Sequence, residues 1–338
     1  MEGFRGLTLS IVMGSDDTNT ILRMASLATP MALRVAVTLG LPDRLRGPGA
    51  EPDELADDLG VAPVPLGLLL GHLTTLGFFE RTATGYRTTS YGENLCGDTL
   101  TSVLLNLDTA GGRAELAFVE LLHSVTTGEA GYRRRYGRDF WADLGEHPPL
   151  RESFDRQMAH RLRAEVPQLA AGFDWGRFAT IVDVGGGPGT LLAAILAAHP
   201  GTRGRLVDLD VSAAGSTFTG HGLEGRASAV AGSFFDPLPA GVDAYLLCDI
   251  LHDWDDERAG RILARCVEAA RPAGRVLVIE AVGGRRGSTD MDLAMLVIFG
   301  GRERRVSEFR ALAAAHGLVL DGVTDVSEGR SLLEFRIV

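Results

Sequence analysis

Between residues 179 and 208 the chain carries a strand, a glycine-rich turn, an apolar helix and a second strand that ends on an acid. Ala179-Thr180-Ile181-Val182-Asp183 reads as a strand and runs into Val184-Gly185-Gly186-Gly187-Pro188-Gly189-Thr190. An apolar helix follows over Leu191 to Ala198, and Gly204-Arg205-Leu206-Val207 forms the next strand, closed by Asp208. Glycines let such a turn bring backbone close to a ligand, and an acid about 20 residues on is placed for a ribose diol. This is one βαβ half of a nucleotide-binding sheet, which makes the C-terminal part of the chain Rossmann-like.

The spacing narrows the nucleotide. A dinucleotide turn wants Gly-x-Gly-x-x-Gly, yet the third position counted from Gly185 is Thr190. The glycines here fall as Gly185-x-Gly187-x-Gly189, and Pro188 stands where the helix is expected to begin. Proline removes a donor that a pyrophosphate would use. A ligand with a ribose and an amino-acid tail but no phosphate loses nothing by that, so the pattern favours S-adenosylmethionine. The plain reading is a turn that only joins strand to helix.

Composition excludes several classes. The 338 residues leave room for one large or two ordinary domains. A net charge of −11 disfavours nucleic acid or an anionic membrane as the main partner. All 33 basic residues are arginine, which excludes a Schiff-base lysine and the lysine of a P-loop. Cys96, Cys248 and Cys266 lack metal spacing and are odd in number, as suits a reducing cytoplasm. With no basic segment ahead of an apolar core at the N-terminus, and no apolar run of about 18 residues, a cytoplasmic protein without a membrane partner is expected.

Residues 1–20 carry no clear signal. Helical spacing over 21–45, two short helices near Glu54 to Val61 and Leu66 to Leu76, and a hairpin over 77–89 read as a winged helix. DNA binding is disfavoured, because residues 51–80 hold six acids and no arginine or lysine. A structural or dimerising module is the better reading. From 99 to about 172 the pattern stays helical, with breaks expected at Gly111-Gly112, Gly128 and His147-Pro148-Pro149. The run Arg133-Arg134-Arg135-Tyr136-Gly137-Arg138 reads as a solvated face; with Arg34 it is also a candidate anchor for a substrate carboxylate. Further strands are expected over 242–247, 274–279, 318–320 and 332–337, the last pair closing the sheet antiparallel.

In an open parallel sheet, ligands bind beyond the carboxyl ends of the strands. Gly185, Asp208, His252 and Glu280 each lie at or just past such an end, so one crevice collects them. His252 is a candidate general base, since imidazole exchanges a proton near neutral pH. Glu280 and Glu303 are candidates to pin the ring, while Asp253, Asp255, Asp256 and Glu257 read as helix-start caps.

With these residues in place, the chain resembles the small-molecule O-methyltransferases that use S-adenosylmethionine, the group of plant caffeate-type and bacterial polyketide- and naphthoate-tailoring enzymes. The resemblance runs from about residue 25 to the C-terminus. It rests on Leu27-Ala28-Thr29-Pro30-Met31, Tyr136-Gly137-Arg138-x-Phe140-Trp141, Val182 to Gly189, Gly232-Ser233-Phe234-Phe235-Asp236-Pro237-Leu238-Pro239, Leu251-His252-Asp253-Trp254-Asp255-Asp256 and Gly300-Gly301-Arg302-Glu303-Arg304.

The resemblance implies an α/β, Rossmann-like class I methyltransferase domain over 173–338. It also implies a mainly helical, winged-helix-like dimerisation domain over 1–95 and a helical linker and pocket region over 96–172. The N-terminal half would form an intertwined homodimer. His252 would deprotonate an aromatic hydroxyl, flanked by Glu280 and Glu303, with no metal. Asp183, Gly185, Gly187, Gly189, Asp208, Leu209, Ser233, Phe234 and Cys248 would fall on cofactor positions, and Trp141, Phe154, Met158, Met295 and Phe299 near the acceptor. Many relatives carry Asp at the position of Ser233, Lys or Ser at that of Cys248, and Pro at that of Asp210. A fold of this family that keeps the cofactor but hydroxylates, decarboxylates or cyclises is the alternative.

Overall fold

The computed structural model describes residues 16–270, 272–285 and 289–338, and the chain separates into two compact units that meet in sequence between Asp108 and Thr109. Of the featureless stretch 1–20, residues 1–15 lie outside the described residues.

The N-terminal unit holds helices Asp16–Ala25, Ala28–Thr38, Leu41–Arg44, Pro52–Leu59 and Pro63–Thr75, then an antiparallel hairpin of β1 (Phe79–Thr82) and β2 (Gly85–Thr88). Pro52 and Pro63 open their helices, where no intrahelical N–H bond is lost. Ala36, Leu41, Leu45, Leu70, Leu73 and Phe79 form its core. The unit runs on through helix Leu100–Leu105, because Arg34 donates to the Leu104 carbonyl and the Leu107 N–H donates to Thr38. By length and composition alone, Asp17–Thr38 is apolar enough to cross a membrane, which corrects the expectation of no such run. Ala32, Ala36 and Val37 from that stretch are buried, while Ile21, Met24 and Leu27 are exposed.

The C-terminal unit is built on a seven-stranded sheet. Its strands are β3 (Thr180–Val184), β4 (Arg203–Asp208), β5 (Ala227–Ala231), β6 (Ala244–Cys248), β7 (Arg275–Glu280), β8 (Leu318–Asp325) and β9 (Ser331–Ile337). They are ordered β5-β4-β3-β6-β7-β9-β8, parallel except at β9 and β8. Side chains alternate between two cores, as a pleated strand requires. Ile181, Leu206, Leu246 and Leu277 face helix Thr190–Ala198, while Val182, Val207, Tyr245 and Val276 face helices Asp256–Ala269 and Val306–Ala314. The order reverses between β3 and β6, and that switch point is where such sheets take ligands.

Three expectations need correction. Strand β5 has no counterpart in the sequence reading: Ala-Ser-Ala-Val-Ala on an exposed edge shows no apolar alternation. Gly111 and Gly112 do not break a helix but lie in the first turn of Ala110–Leu116, which Thr109 caps through the Gly112 N–H. The break falls at 106–109 instead. Helix Thr190–Ala198 starts after Gly189, so Pro188 precedes the cap and removes no helical donor.

Candidate active site

The glycine turn is dictated by backbone conformation. Gly185, Gly187 and Gly189 all adopt positive φ, at 74°, 56° and 78°. A Cβ at Gly185 would strike Ile250, and one at Gly189 would strike Phe218. At Gly187 the side-chain direction is open, and its N–H donates to Asp208 Oδ2 at 2.8 Å. Asp208 Oδ1 accepts from the Asp210 N–H at 3.2 Å and lies 3.8 Å from Arg151 Nη2. Asp183, at the end of β3, is buried with both oxygens unpaired, and burial with the nearby Asp208 charge pushes its carboxyl up to about 7.

The remaining cofactor candidates sit at the ends of neighbouring strands. Leu209 is exposed beside Asp208. Beyond β5, Ser233 Oγ accepts from the Phe235 N–H, and the Phe234 ring packs edge-on against Phe235 and lies beside Gly185. Cys248 ends β6, and burial pushes its thiol up. These residues suit a ribosyl amino acid: open backbone at Gly187, a carboxylate at Asp208 held by donors, and unpaired oxygens on Asp183.

His252 lies in the short turn Leu251–Asp253 after β6 and is 5 % exposed. Its Nδ1 is 3.1 Å from Glu303 Oε1, and its Nε2 is 3.5 Å from Asp253 Oδ1. Glu280 Oε1, at the end of β7, accepts the backbone N–H groups of Leu251 at 2.5 Å and His252 at 3.2 Å. A carboxylate only accepts, so Glu303 fixes the Nδ1–H tautomer and leaves Nε2 as the basic nitrogen. Burial works against the imidazolium, but Asp253, Glu303, Glu280 and Asp249 outweigh it and lift the ring to about 10. Burial raises the carboxyls of Glu280 and Asp253 to about 7, with His252 pulling the other way.

The loop 300–305 wraps this turn. A Cβ at Gly301 would overlap the His252 carbonyl, so glycine is required for the approach. The Arg302 N–H donates to that carbonyl at 2.9 Å. Arg304, fully buried, donates to the carbonyls of Leu251 at 2.6 Å and Trp254 at 2.7 Å, and pairs with Asp256. The capping reading holds for Asp255, which accepts from the Arg258 N–H, but not for Asp253, which is buried against the His252 ring. Asp256 and Glu257 lie in the first turn of helix Asp256–Ala269, where acids complement the helix dipole, and Asp256 also pairs with Arg304 and Arg302.

Phe140, Trp141, Phe154 and Phe299 pack together, and Tyr132 and Tyr136 extend the cluster from Phe140. Trp141 stacks near-parallel on Phe299 at 5.6 Å and meets Phe154 edge-on at 5.4 Å, while Phe140 lies 5.1 Å from Phe299. Met295 is buried on the same helix as Phe299, and Met158 follows Phe154 by one helical turn. Trp141 Nε1 and Gln157 Oε1 are buried with no partner. In the arginine run, Arg133, Arg134 and Arg135 are exposed and Arg134 pairs with Glu120, while Arg138 is half-buried and pairs with Glu146. Sequence reasoning missed Arg304, Arg151 and Asp249. Asp249 is marked by its left-handed backbone, which no other non-glycine among the described residues adopts, and no sequence pattern announces it.

A model of the O-methyltransferase domain matches residues 118–319, and one of the O-methyltransferase dimerisation domain matches 23–100. The chain belongs to this O-methyltransferase family. The chain is similar to the 2,7-dihydroxy-5-methyl-1-naphthoate 7-O-methyltransferase of Streptomyces carzinostaticus, 46% identical over 90% of this chain and 93% of that protein. It is also similar to the aclacinomycin 10-hydroxylase of Streptomyces purpurascens, 39% identical over 95% of this chain and 91% of that protein. Among solved structures, an O-methyltransferase of neocarzinostatin biosynthesis, in complex with S-adenosyl-L-homocysteine and 1,4-dihydroxy-2-naphthoic acid, superposes with TM-score 0.89. It is 45% identical and covers 94% of this chain and 98% of its own.

Proposed function

We propose that the protein transfers a methyl group from S-adenosylmethionine to the hydroxyl of an aromatic small molecule, a hydroxy-naphthoate, hydroxy-benzoate or polyketide-like intermediate, with His252 as general base and no metal. The observation that carries this reading is the His252 ring, held at Nδ1 by Glu303 beside the carboxyl ends of β6 and β7.

S-adenosylmethionine supplies an already electrophilic methyl group, so the protein's main task is alignment. Asp183, Gly185, Gly187, Gly189, Asp208, Leu209, Ser233, Phe234 and Cys248 are read as holding it, and Trp141, Phe154, Met158, Met295 and Phe299 as lining the acceptor. His252 Nε2 takes the hydroxyl proton. A phenol has a pKa of about 10, and the carboxylates of Asp253, Glu303, Glu280 and Asp249 raise the His252 ring toward that range, which makes it a stronger acceptor for the hydroxyl proton. Glu303 and Asp253 then stabilise the cation. The aromatic cluster excludes water. A homodimer built by the N-terminal unit and a cytoplasmic location complete the reading, supported by the dimerisation-domain match and by three free cysteines.

The 39% identity to a hydroxylase favours one competing reading, in which the crevice keeps the cofactor and adds oxygen. His252 with Glu280 and Glu303 speaks for proton abstraction instead. Incubation with S-adenosylmethionine and a panel of hydroxy-aromatic acids, followed by mass spectrometry, decides between them. A product that gains a methyl group together with S-adenosylhomocysteine supports transfer, and a product that gains oxygen overturns it.

A further inference from the structure

Asp249 is the single non-glycine residue with positive φ among the described residues, at 53°. It follows Cys248 at the end of β6 and precedes His252 by three positions, so the left-handed link separates the strand end from the base. L-residues avoid this conformation, though aspartate tolerates it better than most, and such outliers gather where surroundings fix a functional geometry. The fixing group here is Arg330, 5 % exposed, whose Nη2 and Nε lie 2.6 Å and 3.0 Å from the Asp249 carboxylate oxygens. Arg330 Nη1 meets Glu165. That glutamate belongs to helix Pro148–Ala171, and the spacing Phe154, Met158, Arg161, Glu165 sets it on the face of the acceptor residues. A buried ion pair is weak evidence for stability alone, and stability would not call for a left-handed aspartate.

Resting on the reading of His252 as base, we infer that Arg330 and Asp249 are positioning residues: their pair holds the left-handed link that aims His252, and Glu165 couples that aim to the helix covering the acceptor. Four carboxylates act on the His252 ring: Asp253 from its own turn, Glu303 from the loop, Glu280 from β7 and Asp249 from the link after β6. The cations act one step out, Arg161 on Asp249 and Asp253, Arg304 on Glu280, and Arg330 on Asp249 and Glu165. Within this set Arg330 neutralises Asp249. Removing the arginine takes away the cation paired with Asp249, leaving only Arg161 to offset its charge, and favours protonated His252; removing the carboxylate does the reverse.

The test combines the NMR titration of the His252 ring, S-adenosylhomocysteine binding by calorimetry, and turnover in Arg330→Gln, Arg330→Lys and Asp249→Asn. Expected are an upward shift of the ring in Arg330→Gln, a downward shift in Asp249→Asn, and kcat losses on the order of tenfold to a hundredfold in both. Cofactor binding should be kept, with part of the loss restored by Arg330→Lys. Ring shifts of the same sign in both variants, or folded variants with kcat within about twofold of wild type, overturn the inference. Asparagine also tolerates the left-handed region, so Asp249→Asn carries the test if Arg330→Gln does not fold. A wild type that moves no methyl group while opposite-signed shifts persist overturns the base reading and leaves the coupling of the turn supported.

Discussion

His252 Nδ1 lies 3.1 Å from Glu303 Oε1, and the two residues come from different ends of the C-terminal unit: one from the turn after β6, the other from the loop ahead of helix Val306–Ala314. The carboxylate sets the tautomer and stabilises the cation that forms when Nε2 takes a proton. His252→Ala is expected to cut kcat by roughly 10²–10⁴, with S-adenosylhomocysteine affinity unchanged. Glu303→Gln keeps the shape but offers a neutral partner that can face the ring either way, and should cost on the order of tenfold to a hundredfold. Steady-state kinetics beside calorimetry checks both, and near-normal turnover by His252→Ala at neutral pH removes the base assignment.

The pH profile follows from the same carboxylates. His252 is lifted to about 10, and the form that accepts a proton is the neutral ring, which grows as pH rises toward that value. Turnover should therefore climb through neutral and mildly alkaline pH, by about tenfold per unit on the steep limb. In the free enzyme, reported by kcat/KM, the limb ends near the value of the ring. With the sulfonium cation bound, positive charge disfavours the imidazolium, so the limb of kcat should end lower. A flat profile from pH 6 to 9 (roughly the range usable in such an assay) contradicts this.

Asp208 carries the cofactor prediction. Its Oδ2 is already oriented by the Gly187 N–H and its Oδ1 by the Asp210 N–H, so the carboxylate is preorganised for a ribose diol. Asp208→Ala should weaken S-adenosylmethionine binding by about 1–3 kcal/mol, the scale of hydrogen bonds to a charged group. Calorimetry reads this directly, and equal binding by wild type and variant takes Asp208 out of the site.

Much of this was legible in the sequence, for reasons tied to particular residues. Thr180 to Asp208 declared a βαβ unit because its glycines need positive φ and its first strand, β3, is an apolar run buried on both faces. The strand ends collected Asp208, His252 and Glu280 because a parallel sheet aims all its carboxyl ends the same way. The edge strand β5 stayed hidden, since small residues on an exposed edge carry no apolar alternation. Arg304 and Arg330 stayed hidden too. Each is buried only because distant segments surround it with carbonyls or carboxylates, and an arginine in sequence looks like a surface residue.

His252, Glu280 and Glu303 can bring ligand atoms within 4.8 Å of one another, as a metal site would. One atom of each is already committed, however: Glu280 Oε1 to two backbone N–H groups, and His252 Nδ1 to Glu303 Oε1. Turnover after exhaustive dialysis against a chelator should stay within about twofold of the untreated enzyme, and added divalent ions should not raise it. A loss restored by one particular metal would replace the proton-transfer reading.

The N-terminal unit yields the final prediction. Helix Asp16–Ala25 and the residues after it expose Ile21, Met24 and Leu27, and helix Pro63–Thr75 exposes Val64 and Leu68, each more than 60 % accessible. Apolar groups of this size, gathered in a unit that matches a dimerisation domain, are expected to be covered by a second copy of the chain. Burying one leucine or methionine side chain contributes about 1.5–3 kcal/mol, and a symmetric interface counts each substitution twice. Met24→Asp combined with Leu68→Asp should therefore shift micromolar protein from dimer toward monomer by light scattering. The Rossmann-like unit carries its own core of two packed faces, so the monomer should still bind S-adenosylhomocysteine. A variant that stays fully dimeric places the interface on another surface.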